Sequence, residues 1–146
     1  MGIGRENMKQ AIKILLCLVA GVTAAALLLN GGLKLREKSY YMDESNYITE
    51  EAIVVNVIYR SDSIIFWLSE IDDAYSDSNF IIKGENAEVL LQNGIAEKIE
   101  IGDEILFTSA PRYFSDGYFM PIVSLSAGEE CLLPFEDGYR NLIASY

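Results

Sequence analysis

From Ile14 to Leu33 the chain carries no charge, and from Ile14 to Leu29 it is almost wholly apolar. No polar face recurs there at 3.6-residue spacing, so the run lacks the one-sided pattern of a helix packed on a soluble core. About 20 such residues at 1.5 Å each cross the ~30 Å of hydrocarbon in a bilayer. The pattern predicts a single transmembrane helix over 14–33, after a basic tail (1–13) and before a polar tether (34–47). A cleaved signal peptide competes with this. Lys9 and Lys13 precede the run and Ala24-Ala25-Ala26 offers a small-residue site, but Leu27, Leu28 and Leu29 carry the run past it. Arg5, Lys9 and Lys13 on one side and Lys34, Arg36 and Lys38 on the other tie the flanking charge at three each. A short tail before a first span favours an N-terminus inside the cell and the following domain outside it.

After residue 48 the period falls to two. Glu50–Arg60 alternates, but both of its faces are mostly apolar: Ile53, Val55, Val57 and Tyr59 on one, Ala52, Val54 and Ile58 on the other. Such a strand is buried on both faces or curls between two sheets. Ile64–Ile71 and Phe80–Ile82 follow as the second and third strands. The period then lengthens over Glu85–Asn93, a helix with Ala87, Leu90 and Leu91 on one face. Glu85 and Glu88 favour its N-terminus, and Gly94 followed by Ile95 gives a helix stop. Strands return at Glu104–Ala110, Tyr118–Ser126 and Glu129–Leu133, with Pro121 marking an edge or a bulge. Phe135, Tyr139, Leu142, Ile143 and Tyr146 then recur at helical spacing, although Gly138 weakens that helix.

Three strands, a helix and two more strands is the order of an OB-like β-barrel. The expectation is mainly β: a transmembrane helix, then one barrel domain over 48–146 with an internal helix and a short C-terminal helix. Ile101-Gly102-Asp103-Glu104-Ile105, the Pro111–Pro121 hairpin and Phe135-Glu136-Asp137-Gly138-Tyr139 carry a resemblance at this point. With the anchor, they make the chain resemble small membrane-anchored OB-like barrel proteins of Gram-positive bacteria. That resemblance implies a fold and a location; it implies no activity and no functional residue.

Charge sharpens the division. Residues 1–38 hold six Lys/Arg and two Glu, net +4, and residues 39–146 hold five Lys/Arg and twenty Asp/Glu, net −15, which together make the chain's −11. A domain this acidic repels phosphate backbones, so no nucleic acid is expected as partner. The chain has no His, so no Ser/His/Asp or Cys/His nucleophile system and no His-ligated zinc site can be built. Its two cysteines, Cys17 in the span and Cys131 in the domain, cannot pair with each other. Glu129 and Glu130 beside Cys131 disfavour a thiolate, and a packed, inert cysteine is expected. Asp72, Asp73, Asp77 and Asn79 are oxygen ligands of the type calcium takes, but they lack the Gly and closing Glu of an EF-hand. A solvated acidic loop accounts for them. No metal, cofactor or catalytic residue is expected.

The remaining signal is aromatic. Arg112, Tyr113 and Phe114 stand together in the loop between strands four and five, with Tyr118 just beyond. In OB-folds that loop and the face of strands two and three, which carries Trp67 here, hold ligands. These five residues are the candidate ligand-binding set, with packing under the hairpin as the alternative. Tyr40, Tyr41 and Tyr47 suit either a membrane interface or one end of the barrel. The expected function is a membrane-tethered, extracytoplasmic binding or accessory domain without catalysis. It would engage the membrane through 14–33 and an envelope protein, peptide or glycan through the domain. A carboxylate enzyme acting on envelope glycans and a structural subunit of an envelope complex are the alternatives.

Overall fold

The computed structural model describes residues 3–69, 71, 79–112 and 119–146, with side chains from residue 8 onward. The chain forms two compact units, Met1–Glu37 and Lys38–Tyr146. The first is most of one helix, α1 (Ile3–Tyr41). It is long and apolar enough to cross a membrane, and its most apolar stretch is wholly unburied. Leu15, Leu18, Val22 and Leu28 are each 60% or more exposed. Residues 34–41, part of the polar stretch after the apolar run, continue the helix as the end of α1, and Glu44–Asn46 form a 3-10 turn.

Among the described residues the second unit holds six strands and two further α-helices. These are β1 (Ile48–Tyr59), β2 (Ser63–Ser69), β3 (Asn79–Lys83), α2 (Glu85–Gln92), β4 (Glu104–Ser109), β5 (Phe119–Ala127), β6 (Glu130–Leu133) and α3 (Phe135–Ala144). The order in the sheet is β3-β2-β1-β4-β5-β6, antiparallel throughout. A further parallel pairing joins β3 to β5, with Ile81 opposite Pro121. The pairings therefore run β1–β2–β3–β5–β4 and return to β1.

Two bulges explain why several strands look apolar on both faces. Opposite β2, Val54 pairs with Leu68 but Asn56 pairs with Trp67, so Val55 is an extra residue. A bulge of one residue reverses which side chains point inward. Ala52 and Val54 are buried before it, Val57 and Tyr59 pack on the same core after it, and Val55 is 51% exposed. Neither face of β1 is buried along its whole length; the inward side changes parity midway. β5 repeats the device. Thr108 pairs with Ser124 but Ser109 with Ile122, leaving Val123 as the extra residue. Met120 and Ile122 face the main core before it and Leu125 after it. Val123 turns to the opposite side, into a second cluster with Tyr41, Ala110 and Leu142.

The main core is built on Phe66, Phe80 and Phe107, all at most 2% exposed. Phe80 and Phe107 meet edge to face at 5.0 Å, a favoured aromatic geometry. Between β3 and β4, α2 closes the core with Ala87 and Leu90. It ends where Gly94 takes a left-handed φ of 73°, the stop that Gly-Ile signals in the sequence. The second cluster seats α3 on β5. Gly138 of α3 lies so near β5 that a Cβ there would stand 1.9 Å from the Val123 carbonyl oxygen.

Candidate functional site

Two surfaces concern the residues singled out from the sequence. The first is the sheet face turned away from the main core. On β2, Ile64, Phe66 and Leu68 enter that core, so alternation directs Ile65 and Trp67 the other way. The same parity places Ile58 of β1, Ile81 of β3 and Phe119 and Pro121 of β5 on that outer face. The registers align them: Ile58 faces Ile65, Ile65 faces Ile81, and Ile81 faces Pro121. In the neighbouring row Trp67 stands opposite Asn56 and Phe119 opposite Asn79. None of these apolar side chains belongs to either core cluster. Ile58 is exposed, Trp67, Ile81 and Phe119 are half-buried, and Ile65 and Pro121 are buried. The result is an apolar stripe across β1, β2, β3 and β5, with Trp67 at its margin. Tyr59 is not part of it. It leans on the core side, its hydroxyl donating to the Ile99 carbonyl at 2.9 Å.

The second surface is an aromatic cluster where the end of α1, the 3-10 turn and α3 meet. Tyr47 contacts Phe135 at 5.6 Å and Tyr139 at 5.7 Å, both edge to face, and Phe135 stacks on Tyr139. The hydroxyls secure backbone carbonyls: Tyr41 donates to Arg112, Tyr47 to Tyr41 and Tyr139 to Met42, at 2.8–3.0 Å. Of the tyrosines near the end of α1, Tyr41 is 2% exposed and packs into the domain. Tyr40, half-buried, packs against the same cluster from its edge and lies beneath Arg112, whose guanidinium carbon is 5.3 Å from the ring centroid. Burial, with Tyr139 and Tyr41 nearby, pushes the Tyr47 phenol well above its ordinary value. Because its folded value exceeds the unfolded one, Tyr47 supports the fold below about pH 10 and that support is lost as pH rises further. Tyr47→Phe should cost about 1 kcal/mol at neutral pH, since it removes the part-buried hydroxyl's bond to the Tyr41 carbonyl. It should also flatten the alkaline loss of stability, and melting curves at about pH 7 and 10.5 check both effects.

Of the five candidate binding residues, the structure places Arg112 at Tyr40 and Trp67 on the outer sheet face. Tyr113, Phe114 and Tyr118 lie outside the described residues, as do Asp72, Asp73 and Asp77 of the acidic loop. Cys131 departs from expectation. It is exposed, on the last strand and beside the Lys98–Glu130 ion pair, in an open cleft between β6 and the segment after α2. Among the described residues β6 pairs with β5 alone. Among the described residues no three His, Cys, Asp or Glu side chains gather as a metal site. The Asp43 carboxyl is held below the usual carboxylate range by hydrogen bonds from the Ser45 hydroxyl and backbone N–H. That is the reverse of what a general acid needs. Sequence reasoning missed the stripe as a unit, because it is assembled by register between four strands. The one signal of it was the double-sided apolarity of β1.

No family model matches the chain, and comparison with curated proteins and with solved structures finds no match either.

Proposed function

We propose that this chain is a membrane-tethered, extracytoplasmic binding or accessory protein without catalysis, with an OB-like barrel as its soluble domain. The observation that carries the reading is the outer apolar stripe. An apolar face left outside both cores, with a Trp at its margin, is what a recognition surface for peptide or glycan requires. The barrel assignment draws support from pairings that run β1–β2–β3–β5–β4 and back to β1 and from α2 between β3 and β4, the connectivity of the OB-fold. In that fold the face over strands two and three is the ligand side, where Trp67 stands. Support for the tether comes from an unburied helix of spanning length.

Trp67 is the chain's only tryptophan, so intrinsic fluorescence reports this face alone. Full-length protein titrated with envelope glycan fragments and with extended peptides should show a saturable blue shift with at least one class, and Ile58→Glu, exposed on the same stripe and leaving the Trp67 reporter in place, should abolish the shift. A spectrum unmoved by both classes overturns the binding reading. Protease added to intact cells should remove the domain; protection until lysis refutes the outside placement.

A further inference from the structure

Among the described residues β6 pairs with β5 alone, and no backbone group from outside the sheet bonds to Glu130, Cys131, Leu132 or Leu133. The hairpin decides which backbone groups face the open side. Ala127 and Glu130 close a two-residue turn in which Gly128 takes a φ of 57°. The pair that closes such a turn exchanges both of its hydrogen bonds, and the next pair exchanges none. That next pair is Ser126 and Cys131, so the N–H and C=O of Cys131 point away from β5. An unpaired edge of this kind is a template for a further strand. It borders the cleft formed with the segment after α2, which is about 250 Å³ in volume. A site for a whole small molecule needs roughly 300–1,000 Å³; this cleft suits the side chains of a larger partner. Its lining includes Asn93, Lys98 and Glu130, with Leu132 beside them.

Charge selects the occupant. Segments 93–98 and 129–133, on the two sides of the cleft, hold Glu97, Glu129 and Glu130 against Lys98, net −2, in a stretch (39–146) of net −15. Lys98 is paired with Glu130, but both side chains are exposed, where an ion pair is worth little and another cation replaces it at small cost. A second copy of this chain would bring a further −15 and set acids against acids. We propose that β6 takes up an extended basic peptide segment of a partner protein as an added strand, its backbone bonded to that of Cys131 and a Lys or Arg side chain set beside Glu130. In strand addition the backbone bonds supply affinity and the alternate side chains supply selectivity. The site is separate from the outer stripe, since β6 carries none of the stripe's residues.

The test is amide hydrogen exchange, read by NMR, of the full chain in an uncharged detergent, with a capped peptide of alternating Lys and Val as probe. Without peptide the Cys131 amide should exchange freely, while the Glu130 amide, bonded to Ala127, is protected. At ten times its Kd the peptide should slow exchange at Cys131 about tenfold, and a peptide of alternating Glu and Val should leave it unchanged. A Cys131 amide already protected in the free chain overturns the proposal, as does one that neither peptide slows. Equal slowing by the acidic peptide overturns it by removing the charge selection. Undiminished slowing by the basic peptide with its backbone amides methylated also overturns it, by showing a polycation gathered on an acidic surface in place of an added strand. Protection that rises with chain concentration in the absence of peptide assigns the edge to a second copy instead. Ile58→Glu, which alters the outer stripe, should leave the slowing intact; its loss in that variant would place the peptide on the stripe and not on β6.

Discussion

Gly138→Ala should unfold the domain at a temperature roughly 10 °C lower or more. Intrinsic preference argues the other way: alanine in a helix interior stabilises by about 1 kcal/mol over glycine. The added methyl, however, would stand 1.9 Å from the Val123 carbonyl oxygen and 2.7 Å from its carbon. Those are backbone atoms of β5 and cannot rotate aside. The helix must retreat, which opens the contact of Leu142 with Val123 and Ala110 and draws Phe135 and Tyr139 from Tyr47. Overpacking against fixed neighbours costs about 1–3 kcal/mol and sometimes more. The upper end outweighs the propensity gain and corresponds to about 10 °C for a domain of this size. A thermal melt of the full chain in detergent, followed by Trp67 fluorescence, decides the sign. An unchanged or raised midpoint would show that α3 does not lie so close to β5.

Asn86→Asp should be as damaging, and in a pH-dependent way. Asn86 is 5% exposed. Its amide nitrogen donates to the Gly138 carbonyl at 3.0 Å, and its carbonyl accepts from the Asn141 side chain at 2.9 Å. One amide thus joins α2 to α3 with a donor on one side and an acceptor on the other. A carboxylate cannot donate, so an oxygen would face the Gly138 carbonyl in a buried site. Burial and that facing oxygen both raise the folded carboxyl pKa above its unfolded value near 4. A raised folded value means that stability is retained below about pH 4 and lost as pH climbs through the folded value. At neutral pH the cost should reach about 3–5 kcal/mol, as for a buried charge without a partner. Asn86→Ala, which removes the bonds without adding charge, should cost about 1–3 kcal/mol with no such slope. Urea titrations at about pH 4.5 and 7.5 distinguish the two; parallel curves for Asn86→Asp would contradict the donor assignment.

Both positions show how far the sequence reaches. Gly138 read as a helix weakness and nothing in the 3.6-residue pattern singled out Asn86, because neither has an apolar partner in it. Each owes its role to a residue about fifty positions away or on another element: Asn86 to Gly138, Gly138 to Val123. The tyrosines divide in the same way. Tyr40 and Tyr41 are adjacent and chemically identical, yet Tyr41 is buried within the cluster of Leu142 and Val123 while Tyr40 is half-buried at its edge, under Arg112. Cys131 read as packed and inert because Glu129 and Glu130 beside it disfavour a thiolate, but it is exposed on a strand at the end of the sheet order, paired among the described residues with β5 alone.

Local rules alone determined the elements. Twenty uncharged residues without a polar face define the apolar helix. Alternation places the six strands, and Gly94 with φ of 73° stops α2 where the sequence says it should. These follow from the residues themselves and their near neighbours. Tertiary structure decided which side of each strand faces inward. Val55 and Val123 each add one residue to a strand that is apolar in both parities. When either face of a strand can be buried, the pattern looks the same whether or not the phase slips. Only pairing with a neighbouring strand reveals the slip. That choice collects Ile58, Ile65, Trp67, Ile81 and Pro121 on one outer face, and it turns Val123 toward α3, where a glycine was needed to receive it.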